Sequence, residues 1–261
     1  MTKAVPILTY HHVNPLEGDM VTVSVNHFEE QMSFLHRKGY HTLFISELVE
    51  WMQGEKTLPR KSVVLSFDDG FWDNYDFAFP VLKKYGLKAT IFVVTGWISE
   101  ERDPDRTREV IPHHQGNQLI AQGRGHQIAL TWPEAKEMQE SGLIEIESHT
   151  HSHNKELYQD TPALKEDLGR CREAIQSHLS KKSTCLCWPG GRYSRESIAI
   201  AQEVGFTALC TTERGLNQLG SDLLRLKRIT VRDAGFRWLR KTIFIFSHPR
   251  LGKIYAKIKP K

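Results

Sequence analysis

The sequence predicts an α/β fold, a distorted barrel of seven or eight strand–helix units. Strand-like and helix-like segments alternate along most of the chain, as parallel α/β architectures require. The 261 residues, 39% hydrophobic and 25% charged, are enough to bury the core of one such barrel. We therefore expect one barrel domain over residues 1–235, followed by a basic C-terminal tail or helix over residues 236–261.

The elements are predicted in order from apolar runs and capping patterns. Asn26 and Glu29 have the spacing of a capping box, which predicts the start of the first helix. Thr131 and Glu134 form a second such pattern, and the helix that they open is expected to end at Gly142. The other expected helices are 46–53, 72–85, 161–179 and 194–204, and the expected strands are 41–44, 61–67, 89–94, 143–147, 184–188, 207–212 and 226–231.

Two adjacent carboxylates follow one of these strands. The run 63–67 is apolar and rich in β-branched residues, and Gly70 permits a sharp turn directly after Asp68 and Asp69. Both carboxylates should therefore lie at the C-terminal mouth of the strand, where α/β barrels carry their chemistry. Alternation at the strand end would turn Asp69 towards a metal ion and Asp68 towards a water molecule.

Three histidines follow a second predicted strand, at 149, 151 and 153. His149 and His153 can share one face if the backbone turns helically between them, and His151 remains open as a replacement for either. One aspartate and two histidines supply the oxygen and nitrogen ligands that suit Zn²⁺ or a related first-row ion. The alternative is an ordinary turn with surface histidines.

Together these motifs resemble those of the polysaccharide deacetylases of carbohydrate esterase family 4. The family's T-F-D-D-G motif is similar to the run Ser-Phe-Asp-Asp-Gly at 66–70, which implies Asp68 as general base and Asp69 as metal ligand. Its H-(S/T)-x-x-H motif is met at 149–153, which implies His149 and His153 as the other ligands. The resemblance implies a TIM-like barrel of the polysaccharide deacetylase type and one divalent ion. Zinc is expected, with nickel, cobalt or iron as alternatives.

The family's third motif, R-x-P-Y-G, is altered here. It falls on residues 187–191, where the arginine is replaced by Cys187 and the tyrosine by Gly190. The family arginine steadies the base, so we expect Arg228, on the predicted strand 226–231, to hold Asp68 instead. A solvated Arg228 is the alternative. In the family, the residue at the position of Gly190 helps to bind the oxyanion. The resemblance therefore implies that the backbone N–H of Gly190 does so here.

The N-terminus resembles a circularly permuted subgroup, the biofilm poly-N-acetylglucosamine deacetylases. Residues 6–13 are similar to that subgroup's first strand, whose Tyr-His pair supplies the general acid, so His11 is implied as the acid. His12 and His248 are the alternatives. The subgroup's Trp-Pro-x-Gly motif also lacks the arginine, in agreement with Cys187. The resemblance extends from about residue 5 to about residue 233.

Two segments are not explained by these motifs. Residues 95–130 are too long and polar for a routine connection, and they are expected to form a lid or a disordered insertion, with solvated histidines at 113, 114 and 126. The tail from 236 interleaves apolar residues with arginine and lysine. This pattern indicates either an ordinary closing helix or peripheral contact with a membrane or partner.

Composition excludes several classes of protein. A formal net charge of +4 gives no support for nucleic-acid binding, and four cysteines without C-x-x-C pairs do not form a disulfide framework. No export signal is recognised, so we expect a cytoplasmic location or the cytoplasmic membrane face, or export if a leader was removed.

The sequence therefore predicts a metal-dependent hydrolase that removes N-acetyl groups from an N-acetylglucosamine-type polysaccharide or saccharide and releases acetate. One alternative substrate is a lipid-linked or other intracellular N-acetylated sugar intermediate. A non-catalytic carbohydrate-binding relative is the alternative from another class.

Overall fold

The computed structural model describes residues 4–101 and 108–258 of the chain. The strands are β1 (Ile7–Tyr10), β2 (His12–Asn14), β3 (Thr22–Ser24), β4 (His41–Leu43), β5 (Ser62–Phe67), β6 (Ala89–Val93), β7 (Ile144–Ser148), β8 (Cys185–Cys187), β9 (Ala208–Cys210) and β10 (Ile229–Thr230). The α-helices are α1 (Val25–Arg37), α2 (Ile45–Gln53), α3 (Phe79–Tyr85), α4 (His113–Ala121), α5 (Trp132–Glu140), α6 (Thr161–Leu179), α7 (Arg195–Val204), α8 (Phe236–Ser247) and α9 (Pro249–Ile258).

Eight parallel strands form one curved sheet in the order β10-β1-β5-β6-β7-β8-β9, with β4 also paired to β5. The first half of β5 pairs with β4 and its last two residues with β6. The sheet curls back on itself, because Cys210 at the end of β9 forms a parallel bridge to Leu226, shortly before β10. This architecture confirms the predicted distorted α/β barrel.

The central strand β5 is buried on both of its faces. Val63, Leu65 and Phe67 pack into the main core between sheet and helices, whereas Val64 packs with Phe92 in a second cluster. That second cluster also holds three of the four cysteines, at 185, 187 and 210, which are buried as free thiols. A strand buried on both faces needs a continuous apolar sequence, which explains the run at 63–67.

The first expected strand is divided in the structure. β1 ends at Tyr10, and β2 begins at His12 and pairs with β3 in a separate two-stranded sheet. The backbone N–H of His12 donates to the carbonyl of Val21 rather than to the main sheet. The prediction of one strand over 6–13 was therefore wrong, and the break places His11 between two sheets.

The capping box predicted at Asn26 was also wrong. Helix α1 begins one residue before Asn26, and its N-cap residue is Ser24. The Ser24 hydroxyl donates to Asp233 Oδ1 at 2.8 Å, so a distant carboxylate fixes the start of this helix. The second capping box is present, with Glu134 Oε2 accepting from the Thr131 N–H at 3.0 Å.

The helix predicted over 72–85 has two parts in the structure. A π-helical turn covers Asn74–Ala78, and α3 follows with Pro80 in its first turn. Proline lacks an N–H and cannot continue an α-helix from the preceding turn without losing a hydrogen bond. The irregular turn is thus explained by Pro80.

The C-terminal segment is helical over most of its length. Leu239, Ile243 and Phe246 of α8 are buried in the main core, which ties this helix to the barrel. Among the described residues, no helix is both long and apolar enough to cross a membrane. The expected lid over 95–130 contains α4, and its residues 102–107 lie outside the described part of the chain.

Strands β7 and β8 share only one register pair, and a buried carboxylate reinforces their contact. Glu147 Oε2 accepts from the backbone N–H groups of Thr184 and Cys185 at 3.1 and 3.0 Å and from the Ser183 hydroxyl at 2.5 Å. Glu147 Oε1 accepts from Lys181 Nζ at 2.6 Å. This side chain therefore replaces ladder hydrogen bonds that the short pairing lacks.

Replacement Glu147→Ala is expected to lower the free energy of unfolding by about 3 kcal/mol, because several buried donors lose their acceptor. Urea unfolding followed by circular dichroism measures the change. Glu140→Ala is the control, since Glu140 is exposed and pairs with Lys136 at 3.9 Å, an interaction worth less than about 1 kcal/mol. Equal effects of the two substitutions would contradict the structural role of Glu147.

Candidate active site

Asp68 and Asp69 lie directly after β5 in a tight turn. Both side chains are buried, and the Asp68 N–H donates to the Tyr10 carbonyl at 3.0 Å. Asp69 and Gly70 adopt left-handed backbone angles, with φ of 73° and 68°. A Cβ atom on Gly70 would lie 2.9 Å from Val93 Cγ1, so only glycine fits this turn without displacing β6. The turn directs the two carboxylates to different partners.

Asp68 forms a bidentate pair with Arg228. The Arg228 guanidinium approaches Asp68 Oδ1 at 2.6 Å and Oδ2 at 2.9 Å, and its Nε donates to the Thr211 carbonyl at 2.8 Å. Both side chains are buried. Burial disfavours the charged form of Asp68, but the adjacent guanidinium outweighs it and lowers the pKa of this carboxyl. The pair therefore keeps Asp68 ionised.

Cys187 occupies the position of the third-motif arginine. Its Sγ lies 3.6 Å from Asp68 Oδ2, and burial raises the pKa of the thiol well above its usual value. The residue is therefore a protonated thiol that can donate weakly to Asp68. The guanidinium reaches the same carboxylate from the segment just before β10, on the other side of the site.

Asp69 faces two histidines. Its Oδ1 lies 3.2 Å from His149 Nε2 and 3.3 Å from His153 Nε2. The two histidines do not share a face through a helical turn, the geometry considered from the sequence. The backbone between them is not helical, because Thr150 and His153 have positive φ angles of 69° and 58°. The N–H of His153 donates to Thr150 Oγ1, which closes the turn. Left-handed backbone at non-glycine residues is unusual and is concentrated at functional sites.

The three facing atoms fit a divalent metal ion. One carboxylate oxygen and two imidazole nitrogens lie within 4.8 Å of one another. His149 Nδ1 is 2.7 Å from the Cys187 carbonyl, and this hydrogen bond leaves Nε2 free as a ligand. Burial lowers the pKa of His153 to about 4, so its imidazole is neutral near pH 7, as a metal ligand must be.

A second group of potential ligands, Asp68, His149 and Cys187, fits a metal ion less well. Both oxygens of Asp68 already accept from Arg228, and the Cys187 thiol is held in its protonated form. A metal-binding cysteine has to be a thiolate. Asp69, His149 and His153 are therefore the better candidate ligand set.

His11 lies beside the acidic pair. Its Nε2 is 3.9 Å from Asp68 Oδ2, and its Nδ1 is buried without a hydrogen-bond partner among the described residues. Burial lowers the pKa of the imidazole, an effect that the neighbouring Asp68 opposes. A general acid must be protonated when the substrate is bound, and the Asp68 carboxylate favours that charged form of His11.

The three alternative histidines lie elsewhere. His12 turns away and contacts Asp73 Oδ2 through Nδ1 at 2.7 Å. His151 Nδ1 is 2.9 Å from Thr95 Oγ1, and His248 is an exposed residue whose Nδ1 donates to the Phe244 carbonyl. None of the three is among the residues that line the pocket around Asp68.

That pocket has a volume of about 160 Å³, and its walls include residues that the sequence analysis did not select. Trp97, Asn117, Lys155 and Thr212 line it. Lys155 lies two residues after His153, and this closeness to the histidine motif is the one sequence signal that could have identified it as a pocket residue. Trp97 and Thr212 come from loops and Asn117 from α4, and the positions of all three depend on the tertiary fold.

His113 also lines this pocket, although it was expected to be solvated. It is half-buried, and its Nδ1 lies 3.2 Å from His12 Nε2, which in turn contacts Asp73. The contact of His113 with His12 of β2 holds the start of α4 over the site. This contact explains why His113 is half-buried and not solvated as expected. His114 and His126 are exposed, as predicted.

Gly190 lines the pocket, and Gly191 follows it in the same turn. Both have positive φ angles, 61° and 68°. A Cβ atom on Gly191 would lie 2.2 Å from Thr212 Oγ1, so that position requires glycine. At Gly190 the nearest atoms are those of Lys155 at 3.5 Å, which leaves its backbone open to the pocket.

Comparisons with known proteins agree with this geometry. A polysaccharide deacetylase family model matches residues 55–209. A Bacillus subtilis protein described as a polysaccharide deacetylase is 33% identical over 227 residues, covering 87% of this chain and 71% of its own. The poly-beta-1,6-N-acetyl-D-glucosamine N-deacetylase of Staphylococcus aureus is 25% identical, covering 84% and 71%. The enzyme of the same name from Escherichia coli is also 25% identical, but this chain spans only 34% of its length.

Solved structures show the same fold. The Streptococcus pyogenes deacetylase PplD in complex with acetate superposes with a TM-score of 0.77 at 25% identity, covering 93% of this chain and 99% of that one. IcaB from Ammonifex degensii superposes with a TM-score of 0.73 at 22% identity, covering 92% and 96%. At this identity the second likeness concerns the fold alone.

Alanine substitution of Asp69, His149 or His153 is expected to remove stoichiometric metal, because each variant lacks one of three ligands. Elemental analysis of purified protein after metal loading and gel filtration measures this. His151→Ala is the control, since His151 contacts Thr95 instead, and it should retain metal. Full metal occupancy in His149→Ala, or its loss in His151→Ala, would overturn the assignment.

Proposed function

Because the chain belongs to the polysaccharide deacetylase family, we propose that it removes N-acetyl groups from an N-acetylglucosamine polysaccharide and releases acetate. The observation that carries this proposal is the convergence of an ionised Asp68, an adjacent His11 and a metal-compatible trio in one pocket. The names of the Staphylococcus aureus and Escherichia coli relatives support poly-β-1,6-linked N-acetylglucosamine as the substrate.

The proposed metal site comprises Asp69, His149 and His153, with zinc as the proposed ion. A bound divalent ion would supply a Lewis acid that polarises the acetyl carbonyl and increases the acidity of water. Asp69 contributes a negative charge to the site, and the two histidines contribute neutral nitrogen donors. This donor set leaves room for a water molecule and a substrate oxygen.

Asp68 is the proposed general base. Arg228 holds both of its oxygens, so the carboxylate is ionised and fixed in direction before the substrate arrives. It accepts the proton of the attacking water as the oxygen bonds to the acetyl carbon. The same pairing makes Asp68 a weak base, so its contribution comes from position more than from proton affinity.

His11 is the proposed general acid, and Gly190 the proposed oxyanion donor. The departing nitrogen takes a proton from His11 Nε2 as the C–N bond breaks, which leaves a free amine on the sugar and acetate as the second product. The backbone N–H of Gly190 would stabilise the negative charge on the carbonyl oxygen. Loss of the family's tyrosine side chain at this position leaves that backbone group in place.

The walls of the pocket suit a sugar. Its lining includes the aromatic residues Phe71, Trp97 and Trp188 and the polar residues Asn117 and Lys155. Flat rings can cover the apolar faces of a pyranose while the polar groups bind its hydroxyls. A purely carbohydrate-binding role would not require the buried Asp68–Arg228 pair, so we favour the hydrolytic enzyme.

We expect acetate release from poly-β-1,6-N-acetylglucosamine oligomers to exceed release from β-1,4-linked oligomers, monomeric N-acetylglucosamine and a lipid-linked N-acetylated sugar. Asp68→Asn should reduce turnover by about 10²- to 10⁴-fold, since the amide cannot accept the water's proton. An enzymatic acetate assay measures both results, and elemental analysis should show unchanged metal content.

Asp73→Asn is the matched control, because Asp73 is equally buried five residues later but contacts His12 and Asn14 and does not line the pocket. It should retain turnover. Acetate release from none of the substrates would favour the binding-only alternative, and near-normal turnover in Asp68→Asn would remove Asp68 from the mechanism.

Arg228→Met should shift the acidic limb of the pH–rate profile to higher pH and lower turnover. The guanidinium lowers the pKa of Asp68, so without it the carboxyl is protonated, and inactive, at higher pH than in the parent enzyme. Initial rates of acetate release between pH 4 and about 8 measure the shift, over the range in which carboxyl groups titrate.

Arg225→Met is the control for that shift. Arg225 lies three residues earlier, is half-exposed and pairs with Glu213. Its profile should match that of the parent enzyme. An unchanged acidic limb in Arg228→Met with constant metal content would show that Arg228 does not govern the ionisation of Asp68.

A further inference from the structure

The C-terminal segment differs sharply in charge from the rest of the chain. Residues 236–261 contain eight of the chain's 35 lysines and arginines and none of its 31 aspartates and glutamates. The formal net charge of +4 therefore originates entirely in this segment, and the preceding 235 residues carry more acidic than basic side chains. Such asymmetry indicates an anionic partner for this end of the molecule.

Five cations gather around a groove on this side of the barrel. Arg237, Arg240 and Lys241 of α8 face Lys38 and Lys61 across a cavity of about 1080 Å³, which four aromatic rings also line. Within residues 4–101 and 108–258, no carboxylate lies within 4.0 Å of any of these five charges. Their charge is thus available to an external anion.

The same segment exposes apolar side chains. Phe244, Leu251, Ile254 and Ile258 are 55%, 43%, 57% and 69% exposed, and they are four of the six large apolar side chains exposed in the described part of the chain. The three on α9 are spaced three and four residues apart, so they form one stripe along the helix. Tyr255, which borders this stripe, packs edge-on against Phe246 of α8 at 5.9 Å. The helix is therefore anchored to the barrel with its apolar stripe uncovered.

We propose that α8 and α9 dock the enzyme on an anionic phospholipid membrane. The cations of the groove and of α9 would contact lipid phosphates, and the stripe of Leu251, Ile254 and Ile258 would enter the boundary between headgroups and acyl chains. A soluble polyanion would satisfy the charges but leave the stripe in water. A second copy of the chain would bring the same positive charges together, which is unfavourable.

The position of the groove sets the orientation of the docked enzyme. Lys38 precedes β4 and Lys61 precedes β5, so the groove lies towards the N-terminal ends of the strands. The catalytic pocket lies at their C-terminal ends, on the opposite side of the barrel. Docking would therefore turn the pocket away from the bilayer, where a polymer can reach it.

Co-sedimentation of the full chain with vesicles tests this proposal. We expect binding to vesicles of phosphatidylcholine mixed with phosphatidylglycerol and at least tenfold weaker binding to phosphatidylcholine alone, with the difference shrinking as salt rises. The triple variant Arg237→Gln/Arg240→Gln/Lys241→Gln and the single variant Ile254→Asp should each weaken binding to the anionic vesicles at least tenfold.

Leu219→Asp is the matched control, since Leu219 has the same 57% exposure as Ile254 but lies outside the segment, and it should bind like the parent protein. Unchanged thermal unfolding midpoints show that the variants are folded. Equal binding to both vesicle types, or equal losses in Leu219→Asp and Ile254→Asp, would overturn the proposal. So would a parent dimer that Ile254→Asp dissociates without vesicle binding, or tighter binding to heparin than to the vesicles.

Discussion

The buried pair of Asp68 and Arg228 is the interaction on which the site depends. Removing two charges from water is costly, and only a close, fully hydrogen-bonded geometry offsets that cost. Here both oxygens of Asp68 accept from the guanidinium, and Arg228 Nε is satisfied by the Thr211 carbonyl. The pair joins the end of β5 to the segment before β10 and fixes one carboxylate, so that the turn presents Asp69 to the histidines.

The substitution at the third motif follows from the same geometry. A guanidinium entering from residue 187 and one entering from residue 228 would compete for the same carboxylate. Cys187 is small and buried, and its thiol lies beside Asp68 without displacing Arg228. Its backbone carbonyl also accepts from His149, which orients that imidazole towards Asp69. Residue 187 thus contributes through its small size and its backbone, whereas Arg228, from the segment before β10, supplies the positive charge.

Much of this arrangement could be predicted because its signals are local. An apolar run followed by Asp-Asp-Gly identifies a strand end, and alternation near residue 228 placed an arginine within reach of the barrel mouth. Features set by distant contacts could not be predicted. Asp233 fixes the start of α1 at Ser24, His12 draws His113 over the pocket, and Glu147 replaces missing ladder bonds between β7 and β8. Each depends on a partner more than thirty residues away.

A double-mutant cycle tests the central claim most directly. Free energies of unfolding would be measured in urea at neutral pH for the parent protein, Asp68→Asn, Arg228→Met and the double variant. If the two side chains form the buried pair described above, each single change leaves an uncompensated group, and the double variant loses at least about 2 kcal/mol less than the sum of the single losses. Additive losses would show that the two side chains do not interact, and would contradict the account of the site.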